Sequence, residues 1–281
     1  MMRAAVIQMC SGPEIEANLE TAGALLEEAA AAGAVLAVLP ENFAFMGRNE
    51  ADRIAVAEAP GSGPVQDFLA ERARALGLWV VGGTVAVREP GETRPRAASL
   101  LFDAEGRLAA RYDKLHMFDV DLPGSDEGYR ESRGTMPGDG TVVAGSPLGG
   151  LGLAVCYDVR FPEMFRAMAE SGFDAVSLPA AFTVPTGRAH WELLVRARAV
   201  DNLAVVLAAA QWGEHAGGRR TWGDSMIVNH WGEVLARKRE GVGVVVADLD
   251  PLAQREARRR FPVLSNRRPA NELRTRMETK E

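Results

Sequence analysis

The chain has 281 residues, 47% of them hydrophobic and 25% charged, which is the balance of an ordinary globular protein. A chain of this size buries roughly three quarters of its unfolded surface, so no disulfide or metal staple is required. A net charge of −6 argues against nucleic acid or an anionic membrane as partner, since both select basic surfaces.

Strand and helix signals alternate from the start. Residues 4–8 read as a buried strand. A helix follows, with Ile15, Leu19, Ala22, Leu25, Leu26 and Ala29 at helical spacing and Gly33 as its stop. Residues 34–39 form the next strand, closed by Pro40. Pro64 opens a second helix, ended by Gly77, and 78–87 is strand-like. Residues 100–102 and 108–112 flank a turn at 103–106 and predict a hairpin. From 115 to 140 no period is sustained; a long irregular stretch within a compact domain is often functional. Regularity returns with a strand at 151–155, a helix at 162–171, a strand at 175–178, a helix over about 188–201 and a strand at 204–209. Strands at 226–228 and 234–236 flank a turn, and 242–247 is the last strand. Helices join some strands and hairpins join others, which predicts an α/β fold with mixed sheets. No repeat or composition break divides the chain, so a single domain over 1–281 is expected, with a C-terminal tail from about 265 to 281. The arginines Arg255, Arg258, Arg259, Arg260, Arg267 and Arg268 read as a solvated helix face.

Only two cysteines are present, Cys10 and Cys156, which suits a reducing cytoplasm where a thiol stays free for chemistry. The apolar run 4–7 is too short for a signal-peptide core, and no run approaches the ~20 residues that cross a bilayer. A cytoplasmic location is therefore expected.

Three polar residues stand just past apolar strands: Glu41 after 35–40, Lys114 after 108–113 and Cys156 after 151–155. Strand carboxyl ends are where α/β folds place their sites. Together they would supply a base, a cation and a thiol. A nearby cation favours the thiolate. A carboxylate can take the thiol proton and later give it to a leaving amine. An ammonium beside the acyl carbon can stabilise a tetrahedral oxyanion. Cys156 also opens a strand-to-helix turn through Tyr157-Asp158-Val159-Arg160-Phe161-Pro162. Such a turn aims backbone N–H groups at the reacting carbonyl, and Tyr157 N–H is the natural second oxyanion donor. Taken singly, each residue has a plainer reading: a small buried cysteine, a turn glutamate, a surface lysine.

The surrounding words decide between these readings. Leu-Pro-Glu-Asn-Phe at 39–43, Tyr-Asp-Lys-Leu-His-Met-Phe-Asp at 112–119 and Gly-Leu-Ala-Val-Cys-Tyr-Asp-Val-Arg-Phe-Pro-Glu at 152–163 resemble the three signature segments of the nitrilase, or carbon–nitrogen hydrolase, superfamily. The resemblance continues at 179–192, 196–202, 222–226 and 231–234. It implies a four-layer α-β-β-α sandwich with two mixed β-sheets and a small-molecule amide as substrate. It calls for no cofactor and no metal, and implies a homodimer. Carried over by position, the base is Glu41, the lysine Lys114 and the nucleophile Cys156. A further acid of the family matches Glu131, within the irregular stretch.

Within the superfamily, Ala-Ala-Ala-Gln-Trp-Gly-Glu-His at 208–215 and the Thr-Gly-Arg-Ala-His-Trp block at 186–191 most resemble the deaminated glutathione amidases. That likeness implies a 2-oxoglutaramyl substrate, cleaved to 2-oxoglutarate and cysteinylglycine. Omega-amidases acting on 2-oxoglutaramate or 2-oxosuccinamate share the same catalytic residues and are the alternative. Arg160 would hold the keto-acid carboxylate, for which a guanidinium fork is well shaped, unless it forms a structural ion pair with Asp158 or Glu163. Phe182 and Thr186 would line the pocket. Met117 and Asp224 depart from the commoner family residues, and Asp224 would alter the pocket edge.

Other readings are weaker. A cysteine–histidine pair would need His116 or His190, and a backbone-bonded core histidine is the commoner role. Gly61-Ser62-Gly63-Pro64 lacks the third glycine of a dinucleotide fingerprint, and two cysteines with four histidines show no zinc spacing.

Overall fold

The computed structural model describes residues 1–49, 51–122 and 128–268; most of the expected tail, 269–281, lies outside the described residues. In chain order the elements are β1 (Met2–Gln8), α1 (Ile15–Ala31), β2 (Leu36–Val38), the one-turn α2 (Asp52–Ala55), α3 (Pro64–Leu76), β3 (Trp79–Val81), β4 (Val85–Val87), β5 (Arg96–Phe102) and β6 (Leu108–Asp113). Then come β7 (Asp119–Asp121), β8 (Gly128–Arg130), β9 (Val142–Ser146), β10 (Gly149–Leu153), α4 (Pro162–Glu170), β11 (Ala175–Ala180), α5 (Val184–Asn202) and β12 (Val205–Ala210). The chain continues through β13 (Trp212–Glu214), β14 (Arg220–Trp222), β15 (Ser225–Val228), β16 (Val234–Lys238), β17 (Gly243–Leu249) and α6 (Pro251–Arg260).

Two mixed sheets carry the fold. The first runs β17-β1-β2-β3-β5-β4, with β6 paired to β5; the second runs β16-β15-β12-β11-β10-β9. In the first, β1, β2 and β3 are parallel while β17 and β5 are antiparallel to their neighbours. In the second, β10, β11 and β12 are the parallel centre. Side-chain alternation shows the layering. Ala4 and Val6 of β1 and Leu36 and Val38 of β2 join a core with Leu151, Leu153, Val176, Val206 and Leu207 of the second sheet. Ala5, Ile7, Ala37 and Leu39 face the other way, onto Leu25, Leu26 and Ala29 of α1 and Leu69 and Ala73 of α3. Beyond the second sheet, Phe165 and Met168 of α4 and Trp191, Val195 and Ala199 of α5 close the fourth layer. A strand buried on both faces has no polar side, and this explains the unbroken apolar runs at 4–7 and 34–39. The α-β-β-α sandwich is as expected.

Local details differ from the sequence reading. The strand expected over 78–87 is two, broken at Gly82-Gly83. Gly83 adopts φ +47°, and a Cβ there would stand 2.0 Å from the Pro40 carbonyl oxygen. The break is thus where the chain passes close beneath the turn carrying Glu41. Helix α5 begins at Val184, four residues before its expected start, because Pro185 fits a helical first turn where its missing N–H costs nothing. The irregular stretch contains the β7–β8 hairpin and a short 3₁₀ turn at Glu131–Arg133. The arginine-rich end is only partly a solvated face. Arg258 turns inward, pairing with Asp174 at 2.7 Å and donating to the carbonyls of Phe173 and Leu203, while Arg267 pairs with Glu170 at 2.6 Å. No helix among the described residues is long and apolar enough to cross a membrane.

Gly83→Ala tests the close approach. A side chain in this backbone region is strained by about 1 kcal/mol on conformational grounds alone, and the clash with Pro40 adds to it. The expected result is a lower melting temperature together with lost activity, as the Glu41 turn is pushed away; a variant with unaltered Tm and kcat would contradict it.

Candidate active site

Glu41, Lys114 and Cys156 lie at the C-terminal ends of β2, β6 and β10, and the sandwich brings the three ends together around one small cavity. It holds about 380 Å³ of empty space and is lined by Glu41, Arg53, Lys114, Phe118, Glu131, Cys156, Tyr157, Phe182 and Thr186 among others. Glu41, Lys114, Glu131 and Cys156 are 3%, 1%, 4% and 7% exposed, so the charges face one another rather than water. Lys114 Nζ donates to Glu41 Oε1 at 2.9 Å and to Glu131 Oε1 and Oε2 at 3.0 and 2.8 Å. Glu131 also accepts from Phe118 N–H at 2.8 Å and pairs with Arg53 Nη1 at 3.3 Å.

The electrostatics follow from this packing. Burial alone would discharge Lys114, but Glu131 and then Glu41 outweigh it and hold its pKa above the ordinary lysine value. Lys114 is therefore a permanent cation. Burial likewise opposes charge on Glu131, yet Lys114 and Arg53 overcome it and bring its pKa down to about 2. Cys156 is the opposite case: burial and the Glu41 carboxylate raise its pKa well above the ordinary thiol value, against the pull of Lys114 and of the Ala181 N–H. The resting sulfur is a thiol beside a carboxylate able to take its proton.

Cys156 sits at φ +49°, a conformation L-residues seldom adopt and which concentrates at functional sites. It opens a 3₁₀ turn, Cys156–Arg160. Asp158 holds that turn. It is 0% exposed and accepts from Val155 N–H at 2.8 Å, Tyr112 O–H at 2.7 Å and His116 N–H at 3.2 Å, with His116 Nδ1 at 2.7 Å. The Cys156 turn is thereby tied to the strand that delivers Lys114. From sequence, Asp158 is expected only as a partner for Arg160; its position two residues past Cys156 is the available signal. Glu41 is tied down from the other sheet, since Gln211 Nε2 donates to its carbonyl at 3.0 Å and to Ser11 Oγ at 2.8 Å.

The structure brings Phe182, Thr186 and Tyr157 to the cavity wall, but Arg160 does not line it. Arg160 lies alongside, 5.2 Å over the Phe182 ring and 5.8 Å over the Tyr157 ring, with His190 Nδ1 3.2 Å away. Neither Asp158 nor Glu163 forms an ion pair with it among the described residues. Asp224 is not at the cavity edge: it pairs with Arg237 at 2.6 Å and its carbonyl accepts from Trp191 Nε1 at 2.8 Å. Its influence on the site runs through Trp191, which packs on Phe182 with ring centroids 4.8 Å apart. Two cavity residues had no sequence signal as such, Arg53 and Arg219. Of the two histidines considered, His116 is taken by Asp158 and stacks on Phe161, and His190 meets Arg160. Cys10 lies past the end of β1 and is exposed, with its sulfur 3.5 Å from Glu214 O. No group of three or more acidic, histidine or cysteine side chains suited to a metal occurs among the described residues.

Residues 3–259 match the carbon–nitrogen hydrolase family. The chain belongs to that family and is a cysteine-dependent amidohydrolase. It is 40% identical over 270 residues to the deaminated glutathione amidase of Yersinia enterocolitica, covering 96% of this chain and 94% of that one. The crystal structure of the C. elegans NitFhit protein superposes with a TM-score of 0.88 at 37% identity, over 95% of this chain and 65% of that longer one. An amidase from Nesterenkonia sp. AN1, solved as a variant after Michael addition of acrylamide at its active-site cysteine, superposes with a TM-score of 0.78 at 28% identity, over 93% of this chain and 98% of that one.

The depressed pKa of Glu131 sets an acid limit on stability. A carboxylate whose folded pKa lies below its unfolded value stabilises the protein above the unfolded pKa, and that contribution is lost as pH falls through the folded one. Here the window runs from about pH 5, just above an ordinary glutamate, down to about pH 2. Glu131→Gln should lower Tm at neutral pH and flatten its decline through this window. Thermal melts of both proteins from pH 7 to pH 3 check it; parallel curves would show that Glu131 does not carry the acid sensitivity.

Proposed function

We propose that the protein hydrolyses a linear, non-peptide amide through a thioester on Cys156, and that its substrate is deaminated glutathione, released as 2-oxoglutarate and cysteinylglycine. The observation that carries the reading is the buried cluster: a thiol, a carboxylate and a permanently charged ammonium on one cavity wall. Glu41 takes the Cys156 proton as sulfur attacks the carbonyl carbon. Lys114 and the Tyr157 N–H, which lies in the first turn of the Cys156–Arg160 helix, where N–H groups lack intrahelical acceptors, stabilise the tetrahedral oxyanion. Glu41 returns the proton to the departing amine, leaving a thioester. A water activated by Glu41 then attacks, and the acid product leaves with the thiol restored. Lys114 cannot act as the base, because its raised pKa keeps it protonated. Glu131 keeps the ammonium charged and aimed while it is shielded from water.

The substrate reading is supported by the named relative at 40% identity and by an arginine beside the cavity. Among the described residues Arg160 has no carboxylate partner, and burial pulls its pKa below the ordinary value, so an incoming carboxylate would be a favourable neighbour. Phe182 and Thr186 would shape the pocket around the acyl chain. We also propose one domain over 1–281, consistent with the single family match, and a cytoplasmic homodimer, for which the family likeness and the two unpaired cysteines are the support.

A hydrolysis panel of deaminated glutathione, 2-oxoglutaramate and simple nitriles tests the function. Deaminated glutathione should give the highest kcat/KM. Preference for 2-oxoglutaramate would make the protein an omega-amidase instead. In the same assay Cys156→Ser should fold but lose nearly all activity, Cys10→Ser should stay active, and an acyl adduct should be found by mass spectrometry on Cys156. An adduct on Cys10 would remove the assignment.

Arg160 makes a separate expectation. A bidentate charge-assisted contact is worth about 1.5–3 kcal/mol, roughly ten- to a hundredfold in binding, and lysine cannot reproduce the fork. Arg160→Lys should raise KM for keto-acid amides by about that factor and affect a neutral amide little, at unchanged Tm. Equal losses for both substrates would make Arg160 scaffolding.

A further inference from the structure

Next to the catalytic cavity lies a much larger cleft of about 1990 Å³ of open space, lined by Arg48, Arg53, Arg130, Arg133, Arg219 and Arg220 and by no aspartate or glutamate among its described residues. Six arginines on one concave surface are unexpected in a chain of net charge −6. Arg53 and Arg219 line both spaces, so the cleft is the vestibule of the catalytic cavity. The aromatic wall is continuous as well: Tyr129 in the cleft packs on Phe118, and Phe118 on Tyr157, with centroids 5.2 and 5.1 Å apart.

Among the described residues, most of this charge has no carboxylate partner. Arg53 pairs with Glu131 and Arg130 with Asp121. Among the described residues, no carboxylate forms a salt bridge with Arg48, Arg133, Arg219 or Arg220. Arg219 stands at the junction. Its Nη2 donates to the Ala181 carbonyl at 3.1 Å and its guanidinium lies 5.4 Å over the Tyr129 ring, while its Nε is buried with no hydrogen-bond partner. A buried guanidinium nitrogen left unpaired is costly and marks a place for an acceptor.

We propose that this vestibule is the leaving-group subsite and that it selects amides whose amine half carries a carboxylate. The inference rests on the reading of Cys156 as nucleophile and deepens the substrate assignment. An amide bond seated at Cys156 has two sides. Arg160 lies by Phe182 and Tyr157, whereas the arginine-lined vestibule opens past Arg53 and Arg219. With the acyl half toward Arg160, the amine half extends into the vestibule. A carboxylate there gains from a positive, low-dielectric cleft, which raises both encounter rate and occupancy. Ammonia as a leaving group would use none of it. The vestibule thus favours an amino-acid or dipeptide amide over a primary amide.

The test compares amides of glycine with amides of glycinamide, which differ only in the leaving-group charge. Each is prepared on two acyl chains, 2-oxoglutarate linked through its 5-carboxyl and plain butyrate. The readout is the ratio of kcat/KM for glycine over glycinamide within each acyl series. In the unaltered protein the ratio should be about five- to tenfold, falling toward one in about 1 M salt, where the Debye length is ~3 Å. In the exposed double variant Arg48→Gln/Arg220→Gln the ratio should fall toward one and lose its salt dependence. A ratio near one in the unaltered protein overturns the proposal. So does a double variant that slows both amides alike. Better hydrolysis of the butyryl than of the 2-oxoglutaryl amides would sink the keto-acid reading alone, because the leaving-group ratio is read separately in each series.

Discussion

An ammonium enclosed by two carboxylates, all three nearly out of reach of water, constrains the rest of this protein. Lys114, Glu41 and Glu131 are each 4% exposed or less. Desolvating such charges costs several kcal/mol per ion, and only close, multiple hydrogen bonds offset that. The geometry must therefore be held from several directions. Glu41 comes from one strand end, Lys114 from another, and Glu131 from a 3₁₀ turn in an otherwise irregular segment. Arg53 and the Phe118 N–H complete the shell of Glu131. The cluster carries two negative charges and one positive before Arg53 is counted. Beside it, burial and the Glu41 carboxylate hold the pKa of the Cys156 thiol above the ordinary value.

The supports lie one layer further out. Asp158 joins the Cys156 turn to Tyr112 and His116, the segment that delivers Lys114, so sulfur and ammonium cannot move independently. The Gln211–Ser11 pair links the Glu41 turn to the second sheet. Gly83 allows the first sheet to pass directly beneath Pro40. The Asp158 and Gln211 contacts cross between the two sheets, which is why a sandwich packed to the density of a crystal can hold its buried polar groups to a fraction of an ångström.

Charge is distributed by function rather than by composition. The chain is acidic overall, yet arginines gather beside and outside the cavity: Arg160 over Phe182, and Arg48, Arg133, Arg219 and Arg220 around the vestibule. The acidic side chains in the cavity wall are committed to Lys114. An anionic substrate would therefore meet a positive approach, while Glu41 and Glu131 are both already paired with Lys114.

Much of this was legible from the linear chain. Apolar runs ending in Pro40-Glu41 and Val155-Cys156 state that those strands are buried on two faces and that a polar residue follows each, as Lys114 follows the half-exposed strand 108–113. Those are local signals, because burial pattern and strand termination depend on neighbours in sequence. The family words around them fixed the order of the layers. What the tertiary structure decided is pairing across the chain. That Lys114 would bridge Glu41 and Glu131, that Asp158 would bind Tyr112 and His116 instead of Arg160, that Asp224 would pair with Arg237, and that Arg53 would meet Glu131 all depend on contacts between residues from 13 to 78 positions apart. The vestibule is the extreme case. Its arginines come from segments near 48, 130 and 219, each reading alone as an ordinary solvated charge. Only the closing of the two sheets, driven by burial of apolar faces that contain none of these residues, turns them toward one space.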